Sequence, residues 1–371
     1  MKADDEFEIF LVAAPGTEDG LLIEAQTLKF SKSKLVAGGV TVHGGWREVW
    51  RANLEIRIAA RVLVRIGSFH VAQLSQLDKL ARKFEWGKFL RSDVPVSVEA
   101  TCKKSRIYHA GAASQRIETA LREDHGITIT EGAEVNIKAR IENNLCTISI
   151  DTTGESLHKR GHKEAIGKAP MRENLAAYFL QHCDFNGAET VVDPMCGSGT
   201  FMIEAAEIAA GLKPGRARNF AFEHLKNFDA KAWQAMHSAD ESPKTTLQFY
   251  GSDRDAGAIK MSRANAVRSG VADCISFQQQ AISNLSAPIG EPGLVIVNPP
   301  YGTRIGDKKP LLALYAALGQ TLQVKFKGWR VGIVTTERTL AAATGLPFKS
   351  PHGPINHGGL RVLLFLTDAL T

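Results

Sequence analysis

From residue 171 onward the chain alternates helix-like and strand-like stretches with a regularity that few folds accommodate. MRENLAAYFLQH carries helical apolar spacing, TVVD reads as a buried strand and FMIEAAEIAAG as a helix. LQFYGSD, AIKMSRANAVRSG, CISFQQ, GLVIVN, LLALYAALGQTLQ and WRVGIVTT follow as strand, helix, strand, strand, helix and strand. Such alternation predicts a parallel sheet covered on both faces. The tail GGLRVLLFLTDAL adds a final strand, and GLKPGRARNFAFEHLKNFDAKAWQAMHSADESPK interrupts the rhythm as an insertion with a helix at AKAWQAMH. No internal repeat or low-complexity tract is visible.

The N-terminal third has a different texture. FEIFLVA, GGVTVHGG, RVLVRIGSFHV, VPVSVEATC, AEVNIKARIE and LCTISID read as strands. Helices are expected at PGTEDGLLIEAQTLKF, REVWRANLEIRI, LDKLARKFEWGKFL and SQRIETALRE. Elements so short and mixed predict small α+β modules rather than one large sheet. The stretch DTTGESLHKRGHKEAIGKAP, rich in glycine and basic residues, reads as the junction between two domains, residues 1–155 and 156–371.

Composition narrows the function classes. With 44% hydrophobic and 23% charged residues in 371, the chain has the make-up of a globular protein with sizeable cores. Its net charge of +6 suits a phosphate-bearing partner without requiring one. No apolar run approaches the roughly 18–20 residues of a membrane helix. MKADDEFEIF lacks the basic-then-apolar pattern of an export signal. The five cysteines (Cys102, Cys146, Cys183, Cys196, Cys274) never fall as C-x-x-C, so neither a disulfide framework nor a zinc site is expected, and a cytoplasmic setting is. His158, His162, His182 and His352 show no carboxylate at ligand spacing; solvated or structural roles, and no metal, are expected of them.

Three strand ends carry chemistry. In VVDPMCGSGTFMIEAA, residues 191–206, an apolar strand ends at Asp193 and runs through Cys196, Gly197, Ser198, Gly199 and Thr200 into a helix. The glycines permit close approach of backbone N–H groups to a ligand. There is neither a third glycine for a dinucleotide fingerprint nor a lysine for a phosphate loop. An acid-x-x-x-G-x-G loop suits a ligand with a cationic, amino-acid-like end, and S-adenosylmethionine fits that description. A second strand ends at Asp253, placed to accept ribose hydroxyls, with Asp255 starting the next helix.

The third is LVIVNPPYGTR, residues 294–304. Proline cannot donate to a sheet ladder, so pairing must stop there and leave Asn298 at the carboxyl end of a strand, where ligands bind. The Asn298 amide oxygen and the Pro299 carbonyl can together accept both hydrogens of an exocyclic NH2, favouring a nitrogen whose lone pair attacks a methyl sulfonium. Tyr301 offers a flat face for a base, and Gly302 lets the chain turn away.

Residues 191–201 and 294–304 resemble the cofactor and amino-methylation motifs of class I S-adenosylmethionine-dependent methyltransferases. The junction at 151–177 resembles the hallmark of THUMP-domain RNA methyltransferases, and VEATCKKSRIYHAGAASQRIETAL resembles the THUMP domain itself. Within that group the chain is similar to the bacterial large-subunit (23S) ribosomal RNA guanine-N2-methyltransferases. The resemblance implies a Rossmann-like α/β methyltransferase domain preceded by ferredoxin-like and THUMP modules that hold RNA. It implies cofactor contacts at Asp193, Gly197, Gly199 and Asp253, with Cys196 and Thr200 in the same loop, and the target amine at Asn298 and Pro299 with Tyr301 stacking. Lys103, Lys104 and Arg106 on the THUMP-like part, and Lys159, Arg160 and Lys163 in the junction, are candidate phosphate contacts. Cys196 is read as a packing residue, not a nucleophile.

One departure stands out: where relatives place an acid near the adenine amine after the third strand, this chain has SFQQQAISNL, leaving Gln280 or Asn284 as substitutes. The expected reaction is methylation of a guanine N2 in large-subunit ribosomal RNA or its precursor. The open alternatives are a tRNA guanine, an adenine N6 in DNA, and a non-catalytic RNA-binding assembly factor.

Overall fold

The computed structural model describes residues 6–164, 171–238, 245–301 and 308–371. The chain forms two compact units. The first comprises Met1–Ala13, Leu21–Leu157 and Arg218–Ala239; the second comprises Ala14–Gly20, His158–Ala217 and Asp240–Thr371.

The elements of the N-terminal stretch are β1 (Phe7–Val12), α1 (Glu18–Thr27), β2 (Ser31–Val36), β3 (Gly39–Gly44), α2 (Trp46–Glu55), β4 (Arg61–His70), α3 (Leu74–Lys83), β5 (Val96–Lys103), α4 (Ala110–His125), β6 (Val135–Glu142) and β7 (Leu145–Asp151). In β1 the alternation puts Phe7, Ile9 and Leu11 inward. Helix α2 buries Trp46, Val49, Trp50 and Leu54 on one stripe.

The strands form one seven-stranded sheet in the order β2-β3-β1-β4-β7-β6-β5, where the sequence patterns predict no large sheet. The cause is β4. Its first half pairs with β1, and nearly its whole length pairs with β7 across a register shift between Arg65 and Gly67. A ten-residue strand with a bulge can serve two neighbours that a five-residue strand could not. Strand β2, SKSKLV, was not anticipated: it is a polar edge strand, and lysines on an edge conceal the strand pattern while discouraging foreign pairing. Of the insertion seen in the sequence, Arg218–Ala239 belongs to this unit. Phe222 is fully buried, stacked on Phe220 (5.2 Å), edge-on to Trp233 (4.9 Å) and beside Trp50 (6.1 Å). Trp233 lies on α7 (Ala230–His237), where a helix was expected.

The second unit contains α5 (Glu173–His182), β8 (Val191–Asp193), α6 (Thr200–Ala209), β9 (Phe249–Asp253), α8 (Ala256–Ser269), β10 (Ile275–Gln279), β11 (Leu294–Val297), α9 (Lys308–Lys325), β12 (Arg330–Thr335), α10 (Arg338–Ala343), β13 (His352–His357) and β14 (Leu360–Leu366). The sheet order is β10-β9-β8-β11-β12-β14-β13. The first five strands are parallel, as expected of a sheet covered on both faces, and every residue of β8 and β11 is buried. The last two depart from that pattern: β14 runs antiparallel to both β12 and β13. Strand β13, HGPINH, escaped the sequence reading because its glycine, proline and polar residues carry no apolar alternation. Val295, Val297, Val331 and Ile333 pack with Tyr315, Leu318 and Leu322 of α9, and with Phe326 just beyond it, into a hydrophobic core. Because β8 lies between β9 and β11, the chain order reverses beside its carboxyl end, which is where parallel sheets open a binding crevice.

Candidate active site

The loop after β8 is built by its glycines. Gly199 has φ +85°, and a Cβ there would meet Ser262 Cβ at 3.0 Å and Phe277 at 3.1 Å, so no side chain fits. Gly197 has φ +53° and only open space where its Cβ would be, leaving room for a ligand against the backbone. The turn is held from several sides. Cys196 N donates to Ser252 O at 2.9 Å, Gly199 N to Cys196 O at 2.8 Å, and Asn265 Nδ2 to Ser198 O at 3.0 Å. Cys196 is buried and burial pushes its thiol well up, consistent with packing and contrary to any nucleophile.

Two carboxylates converge on this turn. Asp253 Oδ2 accepts from Gly197 N at 3.1 Å and its Oδ1 from Asp255 N at 2.9 Å, which ties the end of β9 to the glycine loop. Asp193 Oδ1 accepts from Met195 N at 3.0 Å. Burial, reinforced by the Asp253 charge, raises Asp193 to about 8. A cation placed before these acids would restore Asp193 to its ionised form. The donor set fits a ligand with a cationic end and a diol, and the bare face of Gly197 gives it space. Gln280 N donates to Asp253 O at 3.0 Å, so Gln280 sits beside this crevice, whereas Asn284 is exposed in a short 3-10 turn.

Past β11, Asn298 is half-buried and its Oδ1 is buried without a hydrogen-bond partner among the described residues. A buried amide oxygen left unpaired costs free energy, and such orphans concentrate where a ligand supplies the missing donor. Pro299 is buried. The Tyr301 ring packs against the core cluster, and its hydroxyl lies 3.0 Å from His357 Nδ1. Tyr315 Oη donates to Thr335 Oγ1 at 3.1 Å and reaches Pro300 O at 3.4 Å, propping the double-proline turn from beneath. Tyr315 and His357 were missed in the sequence because one reads as part of an apolar helix and the other as loop. Gly302 lies outside the described residues.

The basic residues divide. Lys103, Lys104, Arg106 and Lys159 are exposed; Lys103 pairs with Glu142 at 3.5 Å. Arg160 must be corrected: it is 1% exposed and faces Glu204 of α6 at 3.3 Å, so its guanidinium is spent inside the unit and not offered to phosphate. Lys163 is also turned inward, donating to Thr200 Oγ1 and Met171 O, both at 2.9 Å, and pairing with Glu173 at 3.1 Å. This places Thr200 in an internal polar cluster at the start of α6. His162 lies 3.8 Å from Glu207, and His182 and His352 both face Asp19.

Comparison with known proteins agrees with this geometry. Residues 8–63 match the RlmL ferredoxin-like domain. A solved possible methylase from Clostridium difficile 630 shares 28% identity over 99% of both chains, with a TM-score of 0.89. A predicted N6-adenine-specific DNA methylase from Listeria monocytogenes shares 27% over 98% of this chain and 97% of its own, again at 0.89. SMU.472, solved in complex with SAH, shares 27% over 100% of both chains at 0.87. Residues 160–350, which carry both glycine loop and Asn298, match the RMKL-like methyltransferase domain, and the chain belongs to that family.

Proposed function

We propose that this methyltransferase acts on the exocyclic N2 amine of a guanine in large-subunit ribosomal RNA, 23S or its precursor. S-adenosylmethionine is the methyl donor: when bound, it supplies a methyl group on a sulfonium centre. Asp193, Gly197, Gly199 and Asp253, with the neighbouring Cys196 and Thr200, form the cradle that would hold it, the acids meeting its cationic end and ribose. The observation that carries the amine reading is the buried Asn298 Oδ1 just past β11, unpartnered among the described residues. With the Pro299 carbonyl it would accept both amine hydrogens, drawing the nitrogen lone pair out of the base. Tyr301 would fix the base by stacking, and the amine proton would leave to water.

RNA is favoured over DNA by the THUMP-like stretch and by the exposed Lys103, Lys104 and Arg106. One observation supports a second reading, adenine N6 in DNA: the Listeria relative is described as an N6-adenine-specific DNA methylase, and N-P-P-Y serves either purine amine. The test is incubation with methyl-labelled S-adenosylmethionine and nucleic acid from a strain lacking the gene, followed by nucleoside analysis. Label in N2-methylguanosine of large-subunit RNA is expected. Label in tRNA moves the substrate but keeps the chemistry, and label only in N6-methyladenine of DNA replaces the RNA reading. Absence of cofactor binding by calorimetry would instead mark an assembly factor.

A further inference from the structure

Away from the glycine loop, the second unit gathers three metal-ligating side chains from segments 163 and 170 residues apart. Asp19 stands in the Ala14–Gly20 segment, His182 ends α5 and His352 begins β13. Asp19 Oδ2 lies 3.3 Å from His182 Nε2 and 3.7 Å from His352 Nε2, and the three donor atoms fall within 4.8 Å of one another. In a tetrahedral zinc site with bonds of about 2.0–2.1 Å, donors are about 3.3–3.4 Å apart. Two of the three edges are thus within a few tenths of an ångström of that spacing.

The surroundings prepare the donors. His182 Nδ1 lies 3.2 Å from the Tyr178 carbonyl, which can only accept, so Nδ1 carries the hydrogen and Nε2 turns its lone pair toward the carboxylate. Asp19 Oδ1 is engaged by Gly20 N at 2.8 Å and by Tyr178 Oη at 3.2 Å, leaving Oδ2 to the imidazoles. A carboxylate oxygen facing an imidazole lone pair needs a cation between them. A proton on His182 satisfies one edge only, and the two rings are 4.3 Å apart, too close for both to be charged without repulsion. His352 Nε2 meets Tyr178 Oη at 2.5 Å. If an ion takes that nitrogen, the tyrosine keeps Gly16 O (3.0 Å) and Asp19 Oδ1 as acceptors. The side chains of His182, His352 and Asp19 are 14%, 35% and 52% exposed, so a fourth position is open to water.

From this convergence of two imidazoles and a carboxylate we infer that Asp19, His182 and His352 form a binding site for a divalent transition-metal ion, of the zinc class, that fastens the Ala14–Gly20 segment to α5 and β13. The site is independent of the methyl-transfer reading. Its test uses the full chain stripped with chelator, titrated with Zn2+ by calorimetry and with Co2+ by visible absorption. One Zn2+ per chain, a tetrahedral Co2+ spectrum and a raised melting temperature are expected. His182→Ala and Asp19→Asn should each abolish all three, while Tyr178→Phe, which keeps every ligand, should retain them. No stoichiometric binding by the wild-type chain overturns the site. Equal binding by wild type and a folded His182→Ala variant, the mark of an adventitious ion only, overturns it as well.

Discussion

Arg160 and Glu204 meet at 3.3 Å with 1% of either side chain exposed, joining the junction segment to the helix that begins at Thr200. Two charges so deep are held by each other, and removing one leaves the other in a medium that cannot solvate it. Arg160→Ala should therefore destabilise the protein by about 3–5 kcal/mol in urea unfolding. Replacing both partners, Arg160→Met with Glu204→Leu, should recover most of that loss. RNA affinity of the folded Arg160→Ala protein should match wild type; a several-fold loss there would return Arg160 to the RNA-contacting set.

Asn298 carries the amine chemistry in the proposed reaction. Asn298→Ala removes an acceptor that acts on the reacting nitrogen, an effect of the size seen for single preorganised polar groups, about 10²–10³ in kcat. Cofactor affinity should be unchanged, because the glycine loop and both acids are untouched. Single-turnover assays and calorimetry on the same preparation check this, and near-normal turnover would sink the mechanism.

Tyr301 separates two roles. Burial raises its hydroxyl to about 12, so it stays protonated, and His357 Nδ1 receives or gives the hydrogen bond at 3.0 Å. If the ring matters for stacking, Tyr301→Phe should keep kcat within about tenfold and lose only the roughly 1 kcal/mol of one hydrogen bond. Tyr301→Ala should lose the base platform, weakening substrate by about 1–3 kcal/mol in KM. Equal damage from both would assign the function to the hydroxyl.

Much of this site was legible because its demands are local. An apolar run ending in acid and glycines, or in N-P-P-Y, fixes strand end and turn within a dozen residues, and Asp193 ends β8, Gly197 lies in the turn after it and Asn298 directly follows β11, as those patterns predict. What was illegible depends on partners distant in sequence. Arg160 looked like part of a basic run, since Glu204, its counterion, lies 44 residues on. Asp19, His182 and His352 share no sequence neighbourhood, so no ligand spacing could appear. The single N-terminal sheet rests on β4 serving two neighbours, a property of its bulge and length that short apolar patterns do not display.

Asp193 predicts a pH dependence with a definite sign. Its folded value is about 8 against an ordinary 3.8, so the folded chain keeps a proton that the unfolded chain releases above pH 4. Its contribution is therefore full below pH 4 and is lost as pH rises through 8. Asp193→Asn should flatten that part of the stability profile. Cofactor affinity should run the other way, rising toward pH 8 as the carboxylate ionises to meet a cation. Calorimetry at several pH values, with buffers of different ionisation enthalpy, should detect proton release on binding in wild type and none in Asp193→Asn. The same proton count in both would remove Asp193 from the cationic end of the site.

Lys104 and Arg106 offer the sharpest check on the RNA-holding role proposed for the first unit. Both are exposed, and Lys104 adopts φ +47°, a left-handed conformation that asparagine tolerates better than alanine. Lys104→Asn with Arg106→Gln removes two charges while respecting that backbone. Each phosphate contact contributes about 0.7–0.9 to the slope of log affinity against log salt. If both residues touch phosphate, the slope should fall by about 1.5, with affinity reduced alike for every RNA sequence tested. Filter binding between low and moderate salt measures it. An unchanged slope would mean that these charges only solvate the surface, and that RNA is held elsewhere on the protein.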